Sequence, residues 1–401
     1  MKPDPDSNVH LTYCSNIHPG ETWTEVRAQI GAHLPKVKSQ LSPDRPFGVG
    51  LRLSAVAAES LSNPAAMEEF KTFLADEDLY VFTINGFPYG EFHGRPVKEN
   101  VYLPDWRDEA RLAYSNLLAD LLAALLPDDP DLEGSISTVP GAFKPAIATD
   151  ADVAAMAKNL IRHAAHLVAL RERTGRTVTL ELEPEPCCFI ETIDEAVTFF
   201  RNHLFSADAI TGMADQTGLS RTDAEAALRR HLGVCLDLCH AAVEFEKPDE
   251  VLAKLRNAGI RIGKMQISAG LQFTAVDDTT IELLRPFNDA VYLHQVVERN
   301  GAGLSRYVDL PEAFAATNRN EGGREWRVHF HVPIFLDDLG QFSTTQDFIR
   351  DMLARQRTAP FARHLEVETY TWDVLPPDYR NVDVDTAIVR ELKWVQDQLD
   401  Q

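Results

Sequence analysis

The sequence lacks the marks of a secreted or membrane-spanning protein. Its 401 residues include five cysteines, an odd number, and two of them, Cys187 and Cys188, are adjacent, which does not indicate a disulfide framework. The N-terminus is polar and acidic, without the basic and then apolar pattern of a signal peptide. The most apolar helical segment, residues 112–126, is too short to span a bilayer and contains Asp120. We therefore expect a cytoplasmic protein with no direct membrane insertion.

Positive charge is also scarce. Lys and Arg number 39 against 61 Asp and Glu, which gives a net charge of −22. Such a surface repels nucleic-acid phosphates and anionic lipids, so the expected partner is a small-molecule metabolite and not nucleic acid. The chain has no Pro/Gly-rich linker, low-complexity tract or sequence repeat, which predicts one domain over residues 1–401.

What the sequence does contain is a regular alternation of short apolar runs and amphipathic helical patterns. This alternation is typical of βα units around a parallel sheet, and eight units predict a (β/α)8 TIM barrel. In the first helix we expect Thr24 to be the N-cap. The predicted strands are residues 9–14, 47–54, 79–85, 134–139, 177–186, a run that begins at 233, 261–268 and 363–372.

The alternation breaks down over residues 269 to about 341. Two further strand-like runs, one around His294 and one around His329 and His331, exceed what an eight-stranded barrel needs. We therefore predict an inserted subregion between strands seven and eight. The alternative is that one of these runs replaces residues 261–268 in the barrel.

Four oxygen-bearing side chains fall at the C-terminal ends of successive strands, where the chemistry of such barrels is located. They are Glu183, Asp237, Gln266 and Glu368. Three carboxylates and an amide oxygen suit Mn²⁺ or Mg²⁺ better than Zn²⁺, although Zn²⁺ is an alternative. The competing interpretation is a metal-free buried network in which Arg52 or Lys264 neutralises the acids. Glu181 and Glu366, deeper on their strands, are expected to form structural ion pairs.

Further side chains are candidates for binding or chemistry at the same end of the barrel. In a strand, His329 and His331 share a face, so they can reach the barrel mouth, contact a substrate oxygen or replace Gln266 as a ligand. Hydrogen-bonded histidines within the insertion are the alternative. A Gly/Pro-rich loop over residues 85–94 has the composition of a lid or pocket wall. The predicted substrate contacts are His329, His93, Trp372 and Lys264.

The strand-end motifs also resemble a known superfamily. LEPEP, LDLCH, KMQIS and LEVETYTW, in that order, resemble the xylose isomerase-like TIM barrels of sugar isomerases, epimerases and endonuclease IV. The order Glu, Asp, Gln, Glu is similar to the hydroxypyruvate isomerase branch. With HPGE and WRVHFHVPIF included, the whole chain looks closest to the metabolite traffic protein EboE family of bacterial ebo gene clusters.

The resemblance implies roles for individual residues. Glu183, Asp237, Gln266 and Glu368 would be metal ligands, Glu183 and Glu368 would also be acid and base, and His240 would orient the substrate. Apart from the resemblance, His331 is a further candidate catalytic residue because of its position in the strand-like run. Gln266 departs from the His common in epimerases. The implied function is a metal-dependent isomerase or epimerase of a small carbonyl or polyhydroxylated metabolite, linked to secondary-metabolite processing or export. The alternative is a non-catalytic metabolite-binding component that works with other proteins of the cluster.

Overall fold

The strands of the molecule belong to two sheets. The computed structural model describes the chain except residues 5–6, 94–95, 317–322, 339, 341, 378–379 and 381. In that part of the chain the strands are β1 (His10–Tyr13), β2 (Phe47–Arg52), β3 (Leu79–Asn85), β4 (Gly134–Thr138), β5 (Val178–Leu182), β6 (Leu232–Asp237), β7 (Arg261–Ile267), β8 (Ala269–Phe273), β9 (Val296–Asn300), β10 (Gly303–Tyr307), β11 (Glu325–Val332), β12 (Ser343–Thr344) and β13 (His364–Val367).

Eight parallel strands form a nearly closed barrel. Their order is β1-β13-β7-β6-β5-β4-β3-β2, and a bridge between Cys14 and Gly50 connects the two outer strands. Each strand run predicted from the sequence contributes to this barrel, so the predicted TIM-barrel fold is confirmed. The strand Arg261–Ile267 pairs with both β6 and β13, so none of the later runs replaces it.

Helices follow most of the strands. They are α1 (Trp23–Leu41), α2 (Ala55–Leu61), α3 (Pro64–Asp76), α4 (Glu109–Leu125), α5 (Asp150–Thr174), α6 (Ile193–Phe199), α7 (Ala207–Thr217), α8 (Arg221–His231), α9 (Leu238–Val243), α10 (Pro248–Ala258), α11 (Asp278–Leu284), α12 (Leu310–Ala316), α13 (Gln346–Thr358) and α14 (Val384–Asp400). The prediction of Thr24 as N-cap was wrong. Thr22 caps α1 instead, because its hydroxyl and Glu25 form a reciprocal capping box.

Ion pairs fill the barrel interior below the mouth. Lys264 Nζ lies 2.6 Å from Glu366 Oε2, and Arg261 Nε lies 3.8 Å from Glu181 Oε1, which confirms the structural pairs expected for these two acids. Glu366 also needs space: a Cβ on Gly50 would lie 1.9 Å from its Oε1. A small residue on the facing strand therefore makes room for a buried carboxylate.

The second sheet is antiparallel and comes between β7 and β13 in the chain. Its order is β10-β9-β11-β8-β12. The first four of these strands lie within residues 269–341 and β12 follows that segment, of which residues 317–322, 339 and 341 are outside the described residues. The pairing of β11 with β8 shifts register between Val328 and Val332. His329 and His331 lie within this irregularity, which is the kind of bulge that redirects side chains.

Among the described residues, no helix combines the length and apolar character needed to cross a membrane.

Candidate metal centre

Three carboxylates meet at the C-terminal mouth of the barrel. Glu183 follows β5, Asp237 is the last residue of β6, and Glu368 follows β13. Each offers an oxygen within 4.8 Å of the other two, and all three side chains are buried. Parallel strands end at the same rim of a barrel, which is why residues far apart in sequence converge here.

Hydrogen bonds fix one oxygen of Asp237. Its Oδ1 accepts from Ser268 Oγ at 2.7 Å and from the His240 backbone amide at 2.9 Å, so Asp237 is also the N-cap of α9. Oδ2 has no hydrogen-bond partner among the described residues. The side chain is therefore oriented with one oxygen free.

Two asparagines hold Glu368. Asn16 Nδ2 and Asn85 Nδ2 donate to Glu368 Oε1 at 2.7 and 2.8 Å. The sequence analysis did not identify either asparagine. Asn85 is the last, inward-facing residue of β3, which was an available signal, whereas Asn16 lies in a short 3₁₀ turn after β1 and gave none.

Gln266 is the fourth predicted ligand. Its Cα is in register with Asp237 on β6, so the two side chains share the inward face. Gln266 is fully buried, and neither Oε1 nor Nε2 forms a hydrogen bond within the described part of the chain; Oε2 of Glu183 lacks a partner in the same way. An unsatisfied buried polar group costs about 1–3 kcal/mol. This donor set of free oxygens fits a hard divalent cation.

Among the described residues, no lysine or arginine forms an ion pair with the three carboxylates, although the charge of Lys264 partly opposes the rise in the pKa of Glu183 and of Glu368. Within the described residues, the ion-pair contacts of Asp237 and Glu368 are to histidine: His331 lies 4.0 Å from Asp237 and 3.6 Å from Glu368. Burial, and then the charges of the neighbouring carboxylates, raise the pKa of Glu183 and of Glu368 well above the usual range. Burial also raises the pKa of Asp237, although its hydrogen bonds and His331 oppose the shift. A bound cation would remove this mutual repulsion.

Neither Lys264 nor Arg52, the basic residues considered as neutralising groups, forms an ion pair with these three acids. Lys264 pairs with Glu366, and Arg52 Nη1 pairs with Glu21 at 2.8 Å. Burial opposes the charge of Lys264, but Glu366 holds the pKa of Lys264 above its usual value. Both basic side chains are therefore committed to other acids.

Three histidines lie beside the carboxylates. His240 Nε2 and His331 Nε2 are each 3.1 Å from His329 Nε2. Asp237, His240 and His331 form one group of ligand atoms within 4.8 Å, and Cys239, His329 and His331 form another. His329 and His331 thus reach the barrel mouth, as their spacing suggested.

Glu185 borders the histidines from the β5 side. Tyr102 Oη donates to its Oε1 at 2.9 Å, and Gln295 Nε2 donates to the same oxygen at 3.1 Å. Burial raises the pKa of Glu185 to about 8, although these hydrogen bonds oppose the shift. Tyr102 and Gln295 come from the loop before α4 and from the segment before β9, so their local sequence gave no sign of this contact.

A cavity of about 60 Å³ lies over the site and is lined by Glu183, Glu185, His240, His329, His331 and Glu368. Aromatic side chains from the loops complete its wall: Phe87, Phe92, Tyr102, Tyr292 and Tyr370. The loop over residues 85–94 thus forms a pocket wall as expected, apart from Gly94, which is outside the described residues. The volume is well below the roughly 300–1,000 Å³ typical of pockets for drug-sized ligands.

Three of the predicted substrate contacts do not line this cavity. The His93 ring lies 2.7 Å from the Asn16 carbonyl oxygen, and it borders a different surface pocket. Trp372 is buried in the hydrophobic core. Lys264 lies deeper in the barrel with Glu366. Of the predicted substrate contacts, only His329 faces the cavity.

Comparisons with known proteins identify the fold. A comparison with protein-family models and a search of curated proteins each find no match. Among solved structures, a D-tagatose 3-epimerase-like protein is similar, with a TM-score of 0.50 and 12% identity over 98% of this chain and 97% of that one. The probable 3-DHS dehydratase AsbF involved in petrobactin synthesis from Bacillus anthracis has a TM-score of 0.45 and 12% sequence identity, over 96% of this chain and 97% of that one. The IOLI protein with a binding zinc atom has a TM-score of 0.45 and 12% sequence identity, over 98% of both chains.

Proposed function

We propose that this protein is a divalent-metal-dependent isomerase or epimerase that moves a proton next to the carbonyl group of a small polar metabolite. The observation that carries the proposal is the cluster of Glu183, Asp237 and Glu368, whose oxygens lie within 4.8 Å of one another beneath a cavity. Buried acids without a basic partner are costly in a purely structural role.

The four oxygen donors Glu183, Asp237, Gln266 and Glu368 would hold the cation. Oxygen ligands favour Mn²⁺ or Mg²⁺, with Zn²⁺ as the alternative. When bound, such an ion supplies positive charge beside a substrate carbonyl oxygen, which makes the neighbouring C–H bond more acidic.

Glu183 and Glu368 are the proposed base and acid. They follow β5 and β13, which are separated in the barrel by β6 and β7, so they approach a ligand from different sides of the mouth. One carboxylate takes the proton from carbon, and the other carboxylic acid delivers one. Without a cation, burial raises the pKa of both carboxyls, and a bound cation would favour the ionised form that takes the proton.

The histidines and the surrounding wall position the substrate and limit water. His240 and His331 line the cavity, so their rings border a bound substrate. Phe92, Tyr292 and Tyr370 contact one another with ring centroids 5.1 to 5.2 Å apart. A small substrate fits the cavity as it stands, whereas a full sugar would require these rings to separate.

The direct test is hydrogen exchange at carbon. Metal-free protein is loaded with Mn²⁺ in D₂O and incubated with hydroxypyruvate, dihydroxyacetone, D-fructose and D-tagatose, and NMR follows deuterium next to each carbonyl. We expect enzyme-dependent exchange with at least one compound. Glu183→Gln and Glu368→Gln should each abolish it and weaken Mn²⁺ retention.

Glu181→Gln is the matched control, because Glu181 is on the same face of β5 but pairs with Arg261 below the mouth. This variant should exchange deuterium as the wild type does. Loss of exchange in Glu181→Gln alone, or a wild-type protein that retains no divalent ion after Mn²⁺ loading, would overturn the proposal.

A second candidate is a binding or trafficking role in secondary-metabolite export, as the resemblance to the EboE family implies. The small, aromatic-walled cavity supports this role, because such a wall retains a ligand better than an open cleft. Other proteins of the same gene cluster would be its partners. A metabolite that binds the Mn²⁺-loaded protein and is recovered without deuterium or rearrangement would favour carriage over catalysis.

A further inference from the structure

The three histidines at the barrel mouth all use the same ring nitrogen to contact the protein. His240 Nδ1 lies 3.0 Å from the Pro184 carbonyl oxygen, and His331 Nδ1 lies 3.0 Å from the Glu368 carbonyl oxygen. A backbone carbonyl only accepts hydrogen bonds, so in both rings Nδ1 carries the proton.

The third histidine is fixed in the same form by an amide. His329 Nδ1 lies 2.7 Å from Gln295 Oε1. The amide orientation follows from its other side, where Gln295 Nε2 donates to the Pro186 carbonyl oxygen at 3.2 Å. His329 Nδ1 is therefore also the donor.

The opposite nitrogens then present lone pairs to one another. In neutral rings with protonated Nδ1, each Nε2 is an acceptor, yet His329 Nε2 lies 3.1 Å from both other Nε2 atoms. The only further contact of His329 Nε2 is the Tyr370 hydroxyl at 3.4 Å, within the described residues.

We propose a second cation site, in which the Nε2 atoms of His240, His329 and His331 bind a transition-metal ion of the Zn²⁺ class. Two nitrogen ligands at the Zn–N distance of about 2.0–2.1 Å are roughly 3.3 Å apart in a tetrahedral site, which is close to both spacings. Ligating histidines usually donate their other N–H to a carbonyl or carboxylate, and all three do so.

This site differs in chemistry from the oxygen site beside it. Imidazole suits Zn²⁺ and Cu²⁺, whereas carboxylate and amide oxygens suit Mn²⁺ and Mg²⁺. The free Oδ2 of Asp237 is 4.0 Å from His331 Nε2, so this carboxylate lies between the two sites. The inference goes beyond the proposed catalysis and does not depend on it.

The test counts metal ions. Metal-free protein is equilibrated by dialysis with Zn²⁺ and analysed for zinc per chain. We expect two ions in the wild type, one in Glu183→Gln and one in His329→Ala. In Glu183→Gln loaded with Cu²⁺, the electron paramagnetic resonance spectrum should show coupling to several imidazole nitrogens, and His329→Ala should weaken binding of that ion about 100-fold or more.

His231→Ala is the matched control. His231 is fully buried, its Nδ1 lies 2.8 Å from the Val178 carbonyl oxygen, and its Nε2 has no hydrogen-bond partner among the described residues, but it is not part of the three-histidine group. It should bind two zinc ions. A wild type that binds one zinc ion, lost equally in Glu183→Gln and His329→Ala, would overturn the second site.

A measurement on the wild type tests the second site without relying on the folding of any variant. Nitrogen-15 NMR of the metal-free protein should show three rings protonated at Nδ1 only, and Zn²⁺ should shift their Nε2 signals. An imidazolium among the three at neutral pH that does not respond to Zn²⁺ would overturn the inference. Zinc bound at the histidines without any Mn²⁺ retention would instead reject the proposed function and leave this site standing.

Discussion

Two layers of buried acids in the same barrel are neutralised in different ways. In the lower layer, Glu366 is 2.6 Å from Lys264, and both side chains are fully buried. At the mouth, Glu183, Asp237 and Glu368 approach one another with no lysine or arginine contact among the described residues. The two layers are one strand alternation apart, since Glu366 and Glu368 differ by two positions.

The comparison shows that burial alone does not distinguish a structural acid from a functional one. A buried charge needs a compensating group, and in the lower layer the chain itself provides it. At the mouth the chain provides asparagine and serine donors to single oxygens but, among the described residues, no lysine or arginine that forms an ion pair. The missing compensation is what indicates a site for an external cation.

The largest expected effect concerns the lower layer. Lys264→Met leaves Glu366 buried without its partner, so it should lower the free energy of unfolding by about 3–5 kcal/mol. Urea denaturation followed by circular dichroism measures this. The double variant Lys264→Met/Glu366→Gln should recover most of the loss, because no charge remains. A single variant as stable as the wild type would remove the contrast between the layers.

The next largest effect is the stabilisation of the folded protein by a metal ion bound at the barrel mouth. Mn²⁺ at about a hundredfold excess over its Kd should raise the wild-type free energy of unfolding by about 2.7 kcal/mol, because the ion binds only the folded state. Glu183→Gln should lose this response, whereas Glu181→Gln should keep it. Thermal unfolding with and without Mn²⁺ provides the measurement, and an equal response in both variants would contradict the assignment.

A smaller effect tests whether Gly50 is needed to accommodate the buried side chain of Glu366. Gly50→Ala places a methyl group against Glu366 and should destabilise the protein by about 1–3 kcal/mol. Gly212→Ala is the control, since Gly212 lies in α7 with open space around its Cβ position and should be neutral or stabilised by up to about 1 kcal/mol. Similar melting temperatures for the two variants would show that Glu366 can move aside.

The smallest effect is a pH dependence. Glu391 accepts from Thr369 Oγ1 at 2.7 Å, and burial raises the pKa of Glu391 to about 7. The folded state then keeps this proton to a higher pH than the unfolded state does. The contribution of Glu391 to the free energy of unfolding is therefore greatest at acid pH and falls as the pH rises through 7, on the order of 1 kcal/mol per pH unit.

Replacing the Glu391 carboxyl separates its contribution to the pH dependence of stability from the contributions of other titrating groups. Glu391→Gln should flatten that part of the curve in urea titrations between about pH 5 and pH 8. The exposed Glu250→Gln should leave the slope over this range unchanged. A steeper fall in Glu391→Gln than in the wild type would contradict the expected sign.

Much of the barrel was predictable because its information is local. Period-two alternation places Glu181 and Glu183 on one face of β5, and helix patterns between the strands require a parallel sheet. The positions of Glu183, Asp237, Gln266 and Glu368 at strand ends follow from the same alternation. The cap of α1 was misplaced by two residues because Thr22 and Thr24 are equally suited by type, and only the contact with Glu25 distinguishes them.

The sequence by itself thus determined the barrel and which acids face inward, since both depend on residues close together in the chain. Only the tertiary structure decided that Lys264 serves Glu366, that Asn16 and Asn85 hold Glu368, and that His329 and His331 meet His240. These contacts join residues on different strands and in the second sheet. Barrel closure and the bulge in β11 set the distances between these residues. No local periodicity in the sequence encodes such distances.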